Sequence, residues 1–207
     1  MTDQPFADQP FTDLPFADYQ QPAKPAAGPR LAIVGEAPGA EEARQGKPFV
    51  GRSGQLLDGN LKAAGVERAE CLVANVFRRQ PPGNKVGHFF ASRTRARKEG
   101  RAIDERWGPF GTSDWVLAEF SGEIEHLQRT LEAYAPRVIV ALGRTPLWAL
   151  TGQNGIMQLR GTVQPCRLLP GVEVVPTFHP SYILRGQLAE EPTFLADLKL
   201  AVSRLGA

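Results

Sequence analysis

The sequence predicts an α/β protein, a three-layer α/β/α arrangement on a central four-stranded parallel sheet. Three observations lead there. Four short apolar runs, at 31–34, 71–76, 137–142 and 172–176, are rich in Val, Ile and Leu, as strands buried on both faces are. Segments of helical period lie between the runs, and strands alternating with helices build a parallel sheet covered on both sides. Glu36, Asn75, Gly143 and His179 fall just past the ends of runs or at their last residues, the edge where open α/β sheets bind ligands.

The elements follow in order. Residues 1–29 repeat a unit, Asp3-Gln4-Pro5-Phe6, Asp8-Gln9-Pro10-Phe11 and Asp13-Leu14-Pro15-Phe16. Pro, Asp and Gln at this density build no core, so a disordered or loosely docked low-complexity tail is expected. Phe6, Phe11 and Phe16 are its candidate docking points for a protein partner. A single domain is expected over 30–207. Its opening run, LAIV, ends at Gly35, and Pro38-Gly39 break regular structure. A Gly-rich turn leaving a buried strand brings backbone N–H groups close to a ligand. The same stretch carries Glu36, Glu41, Glu42 and Phe49. A helix is expected over 53–64, with Ser53 as its cap and Leu56, Leu57 and Leu61 on one face. Further helices are expected over 122–134, from 145 and over 192–205. Residues 85–121 fit no period and hold Arg93, Arg95, Arg97 and Arg101.

Composition narrows the function classes. The chain has 207 residues, 42% hydrophobic and 22% charged, enough for one full core. The net charge of +2 does not by itself call for a polyanion, so any nucleic-acid partner must be held by local patches. Two distant cysteines, Cys71 and Cys166, supply no four-ligand metal set. No metal or cofactor is expected, and the thiols suggest a reducing, cytoplasmic setting. No 18-residue apolar stretch or secretory leader is seen, so no membrane association is expected. A monomer is expected.

Taken together, GEAPGAEEARQGKPFVGRSGQLLD, ANVFRRQPPGN, VIVALG and PTFHPSYILR resemble the uracil-DNA glycosylase superfamily, and within it the family-4 type. The resemblance spans about 31–84 and 122–205. It implies a glycosylase-like α/β/α fold and hydrolysis of the N-glycosidic bond of uracil in DNA, leaving an abasic site. Uracil-containing DNA is then the partner, with the base flipped into a pocket. Phe49 matches the stacking phenylalanine. Asn75 can offer an acceptor and a donor to uracil N3–H and O4, a pattern that cytosine reverses. His179 stands where the family places a histidine that donates to the negative charge growing on O2. Some branches carry an aspartate where Ala37 stands here. Glu36 is therefore the first candidate for positioning water and Glu42 the second, with lining the pocket beside C5 as the other role for Glu42. Ser53 and Ser181 are candidates for phosphate contacts, with charge from Arg52, Arg160 and Arg185. Tyr182, Ile183 and Leu184 are candidates for a wedge into the gap left by the base.

Two departures stand out. Family-4 proteins resemble one another in holding an iron–sulfur cluster on four cysteines, two before the first strand, one at the position of Arg79 and one near Glu123. This chain has none of the four, and two thiolates cannot hold such a cluster. Residues 85–121 are longer than the family's link, and are the candidate for bracing that side instead. Arg93, Arg97 and Arg101 would line one face of a helix there, or Arg93, Arg95 and Arg97 alternate, as a basic stripe for DNA. A branch that traps the sugar covalently places a histidine in such a loop, whereas here His88 precedes the arginines. A broader base range (hypoxanthine, xanthine) and a module that binds or traps uracil-DNA without turnover are the other readings. A Rossmann nucleotide site lacks GxGxxG, and a serine hydrolase lacks G-x-S-x-G.

Overall fold

The computed structural model describes residues 14–24, Gly28 and 30–206. Strands β1 (Leu31–Gly35), β2 (Leu72–Asn75), β5 (Val138–Leu142) and β7 (Glu173–Thr177) are the four expected parallel strands. The sheet differs by a fifth strand, β6 (Gln164–Pro165), antiparallel to β7, giving the order β2-β1-β5-β7-β6. Two residues are too few for a periodic signal, and Pro165 suits an edge strand because it has no N–H to pair.

Alternate residues of each strand enter opposite cores, as a pleat of period two requires. Leu31, Ile33, Val73, Val138, Val140 and Val175 face α2 (Arg52–Ala63), α7 (Pro180–Leu184) and α8 (Glu191–Ser203). Ala32, Val34, Leu72, Ala74, Ile139 and Ala141 face α4 (Ala118–Tyr134) and α5 (Arg144–Thr151). The remaining helices are α1 (Ala40–Gln45), α3 (Arg93–Lys98) and α6 (Ile156–Leu159). Two boundaries depart from expectation. Gly51, not Ser53, is the N-cap of α2, so Ser53 sits inside the first turn. Helix α4 begins four residues before Gly122, because Ala118 to Ser121 continue its buried face through Phe120 and Ser121.

Residues 85–121 are a folded lobe. Strands β3 (Phe90–Ser92) and β4 (Asp114–Val116) pair antiparallel, with Phe90 opposite Val116. Phe89, Phe90, Ala91 and Val116 enter the α4/α5 core, and Phe90 meets Phe110 at 4.3 Å and Trp148 at 5.2 Å between ring centroids. Elements of three to six residues are too short to show a period, which is why the segment reads as patternless.

Of the tail expected over 1–29, Phe6 and Phe11 lie outside the described residues, and the described part, Leu14–Lys24, is docked on the domain. Leu14–Lys24 lies along β2, the outer strand, whose free backbone groups would otherwise be left unpaired. Gln20 and Val73 exchange both backbone hydrogen bonds, at 2.8 and 3.0 Å. Ala17 N–H donates to the Arg78 carbonyl at 3.0 Å, and Gln80 N–H to that of Pro15 at 2.7 Å. Pro15 and Pro22, which have no N–H to pair, fit a pairing limited to isolated bridges.

Candidate active site

The chain crosses from β1 outward to β2 and then returns to β5 on the other side of β1. The crevice between β1 and β5 is thus a topological switch point. Over the carboxyl ends of these strands lies a cavity of about 860 Å³. Glu36, Ala37, Glu42, Phe49, Ser53, Asn75, His179, Ser181, Tyr182 and Arg185 all line it. Parallel register brings them together: Gly35 stands opposite Asn75 and Leu142 opposite Thr177.

Gly35 makes room for two of these side chains. A Cβ there would overlap Asn75 Oδ1 and lie 2.5 Å from Phe49 Cζ. Phe49 has φ 52°, a left-handed value that is unusual for a bulky residue. A Cβ at Gly54 would overlap its carbonyl. The Phe49 ring is buried, with its centroid 5.8 Å from that of His179 and a 32° tilt. Asn75, only 4% exposed, ends β2 on the cavity wall. Among the described residues none hydrogen-bonds its amide, so both the carbonyl and the NH₂ are available to a ligand.

His179 is the N-cap of α7. Its Nδ1 accepts from the Ser181 N–H at 3.1 Å and lies 2.8 Å from Ser181 Oγ, which in turn accepts from Arg185 at 3.2 Å. An Nδ1 that accepts a backbone N–H carries no proton, so the neutral ring holds its hydrogen on Nε2. Burial, and then the nearby Arg185 charge, push the imidazole down from 6.5 to about 4. Gly143, with φ 96°, admits the ring, since a Cβ there would lie 3.2 Å from His179 Cβ.

Glu36 follows β1 and accepts from the Thr145 hydroxyl at 2.5 Å. Burial raises its pKa above 4.5, while that hydrogen bond and the Arg144 and Arg185 charges oppose the rise. Glu42 lines the same cavity but accepts from the Gly39 N–H at 3.1 Å, which commits one of its oxygens to capping α1.

Other expected residues fall elsewhere. Arg52 is exposed on the first turn of α2 and is not part of the lining. Arg93, Arg95 and Arg97 sit on α3, also outside the lining. Arg93 pairs with Glu105 at 3.0 Å and covers the Trp115 ring at 4.2 Å, while Arg95 bonds the carbonyl of Phe90. Arg160 is taken up by Asp197, and Ile183 is fully buried in the core. His88 packs on Phe89 and Phe120, and it too is outside the lining. The sequence reading missed Lys85, Arg144 and Met157 on the lining, and Thr145 behind Glu36. The pairing Gly143-Arg144-Thr145 just past β5 was the available signal; Met157, 59% exposed at the rim, had none.

An open α/β sheet with a pocket at its switch point, where a few polar groups converge among apolar ones, is the usual place for a ligand-binding site, and comparison with known proteins narrows this. Residues 22–199 match the uracil DNA glycosylase superfamily, and the chain belongs to that family. It is 36% identical over 177 residues to the type-4 uracil-DNA glycosylase of Thermotoga maritima, covering 84% of this chain and 77% of that protein. It is 31% identical to the type-4 enzyme of Pyrobaculum aerophilum (81% and 76% covered) and 30% to that of Archaeoglobus fulgidus (78% and 70%).

The place where the resemblance puts two cluster cysteines does not fit an iron–sulfur group. Arg78 pairs with Glu123 at 3.0 Å, Arg79 covers the Phe16 ring at 5.0 Å, and Tyr19 meets His126 at 5.3 Å. Guanidinium groups repel a metal ion and offer it no electron pair. Cys71 and Cys166 are separately buried free thiols, and burial pushes Cys71 up to about 12.

Proposed function

We propose that this chain removes uracil from DNA by hydrolysing its N-glycosidic bond, leaving an abasic site. The observation that carries the reading is the Ser181 N–H donated to His179 Nδ1 at 3.1 Å, which leaves the hydrogen of a neutral ring on Nε2. A neutral imidazole with its hydrogen on Nε2 is a donor ready for the charge that grows on the departing base, with no proton transfer required. Phe49, beside it, gives the flipped base a ring to stack on. Asn75 gives it a complementary amide, and a cytosine there would leave buried groups unpaired at about 1–3 kcal/mol each. Glu36, held by Thr145 and raised by burial, is placed to orient the attacking water while ionised. Its neighbour Ala37 carries no group that can take this part, and Glu42 is engaged at Gly39. Ser53, Ser181, Tyr182, Arg185 and Lys85 border the cavity, where they can meet the phosphates and the vacated stack.

The test is single-turnover incubation with an oligonucleotide holding one uracil. Strand breakage should appear only after alkali. His179→Ala should slow it by about 100–1,000-fold, as loss of one preorganised donor does. A heat-stable protein–DNA band would instead favour covalent trapping, and release of hypoxanthine at the rate of uracil would favour a broad-range enzyme.

A further inference from the structure

The Phe49 loop is held from behind by one side chain that the reaction itself does not need. A left-handed aromatic residue persists only where its surroundings fix it. Arg68, in the turn before β2, supplies that fixing. Its Nη1 donates to the Phe49 carbonyl at 3.0 Å and to Asp58 at 2.8 Å. Its Nη2 donates to the Pro48 carbonyl at 2.8 Å and to Gln20 Oε1 at 3.0 Å. The two peptide carbonyls that flank the strained φ are thus gripped by one planar fork, a geometry that an ammonium group cannot reproduce. The Arg68 side chain is 16% exposed, and its bonds to Phe49, Pro48 and Gln20 are partly buried, whereas the one to Asp58 is open to solvent.

Gln20 belongs to the segment Leu14–Lys24 that lines the edge of β2. The same segment reaches the loop a second time, where the Asp18 N–H donates to the Gly46 carbonyl at 3.3 Å. Its other end is fixed at Phe16, under the guanidinium groups of Arg78 and Arg79 at 5.2 and 5.0 Å. The strap therefore ties the turn after β2 to the loop that presents Phe49.

We propose that Arg68 is the positioning residue for the Phe49 ring, and that the strap anchors it through Gln20. This rests on the reading of the cavity as a pocket for a flipped base. A ring displaced by about 1 Å loses stacking in the transition state, which costs up to about 100-fold in rate.

A double-mutant cycle in the full chain decides it. Arg68→Gln and Phe49→Ala should each slow single-turnover uracil release by about 10–100-fold. The double variant should be no slower than Phe49→Ala. Affinity for the same oligonucleotide carrying a stable abasic analogue should not change in Arg68→Gln. Losses that multiply in the double variant would overturn the proposal. Gln20→Ala, which leaves the fork and its two carbonyl bonds in place, covers the case that Arg68→Gln does not fold. It should show a smaller loss, again absent on the Phe49→Ala background, and a loss that persists there would count against the anchor. Amide hydrogen exchange needs no substrate. The Lys47 amide should exchange faster in either variant while Ile33 and Val140 stay protected, and an unchanged Lys47 would overturn the proposal. If the wild-type protein leaves uracil in DNA, the reading of the pocket falls, and the exchange result still decides whether Arg68 holds the loop.

Discussion

Two titratable side chains, Glu36 and His179, line the cavity, and their environments push them in opposite useful directions. Burial raises the Glu36 carboxyl above 4.5 and lowers the His179 imidazole to about 4. On the proposed mechanism Glu36 orients water only when ionised, so the excision rate should rise with pH through a window above 4.5. His179 must stay neutral to act through Nε2–H, and with its pKa near 4 it is already neutral across that window. Glu36→Gln should therefore lower the rate and also abolish this limb. The residual activity should be level with pH and fall only as pH approaches about 4, where His179 protonates. A pH–rate profile of both proteins checks it; a limb that survives in Glu36→Gln would assign the base to another group. Asn75 and His179 were legible as candidates because each stands at or shortly after the end of an apolar run. The Thr145 partner of Glu36 was not, because 109 residues separate them and only the parallel register brings them together.

Among the elements, α8 owes its docking to a buried charge. Asp197 is 3% exposed, accepts from Thr177 Oγ1 at 2.7 Å and from Arg160 Nε at 2.9 Å. Arg160 offers positive charge in the sequence, but its guanidinium is spent on this carboxylate and on the Phe178 ring, 5.3 Å away. Arg160→Leu should leave Asp197 buried without its counter-charge and lower stability by about 2–4 kcal/mol in a denaturant titration. Thr177 and Phe178 join this cluster directly to His179, so the same variant should also slow excision. Helix α3 illustrates the limit of pattern reading. Its arginines do share a helical element, but Glu105, Trp115 and the Phe90 carbonyl occupy Arg93 and Arg95. Periodicity gives the face of a helix, not what a neighbouring loop sets against that face.

For the molecule as a whole, a net charge of +2 leaves DNA affinity to a few local contacts. Lys85, Arg144 and Arg185 are the basic residues on the cavity lining. Three phosphate contacts predict a slope of about −3 in log K against log salt for duplex DNA. Lys85→Ala should reduce the slope by about 1 and weaken binding to all sequences alike. Arg97→Ala should leave the slope unchanged; a reduction would place α3 on the DNA as well. At this scale the strap Leu14–Lys24 and the lobe of residues 85–121 are two ways of finishing one domain. The strap covers an open sheet edge, and the lobe contributes aromatic rings to the α4/α5 core.

The sequence by itself determined the four parallel strands and the helices that cover them, since burial on two faces demands unbroken apolar runs and burial on one demands a period. It also determined the chemical types at the strand ends and, through its motifs, the family. Tertiary structure decided which of these groups work together. It fixed the proton of His179 on Nε2 through a backbone N–H, and gave Glu36 its hydroxyl partner. It also diverted Arg93 and Arg160 to local acids, and set Arg68 and Gln20 behind Phe49. These outcomes depend on distances of about 3 Å between residues far apart in the chain, and hydrogen bonds at that range are made or lost by packing, which no local pattern encodes.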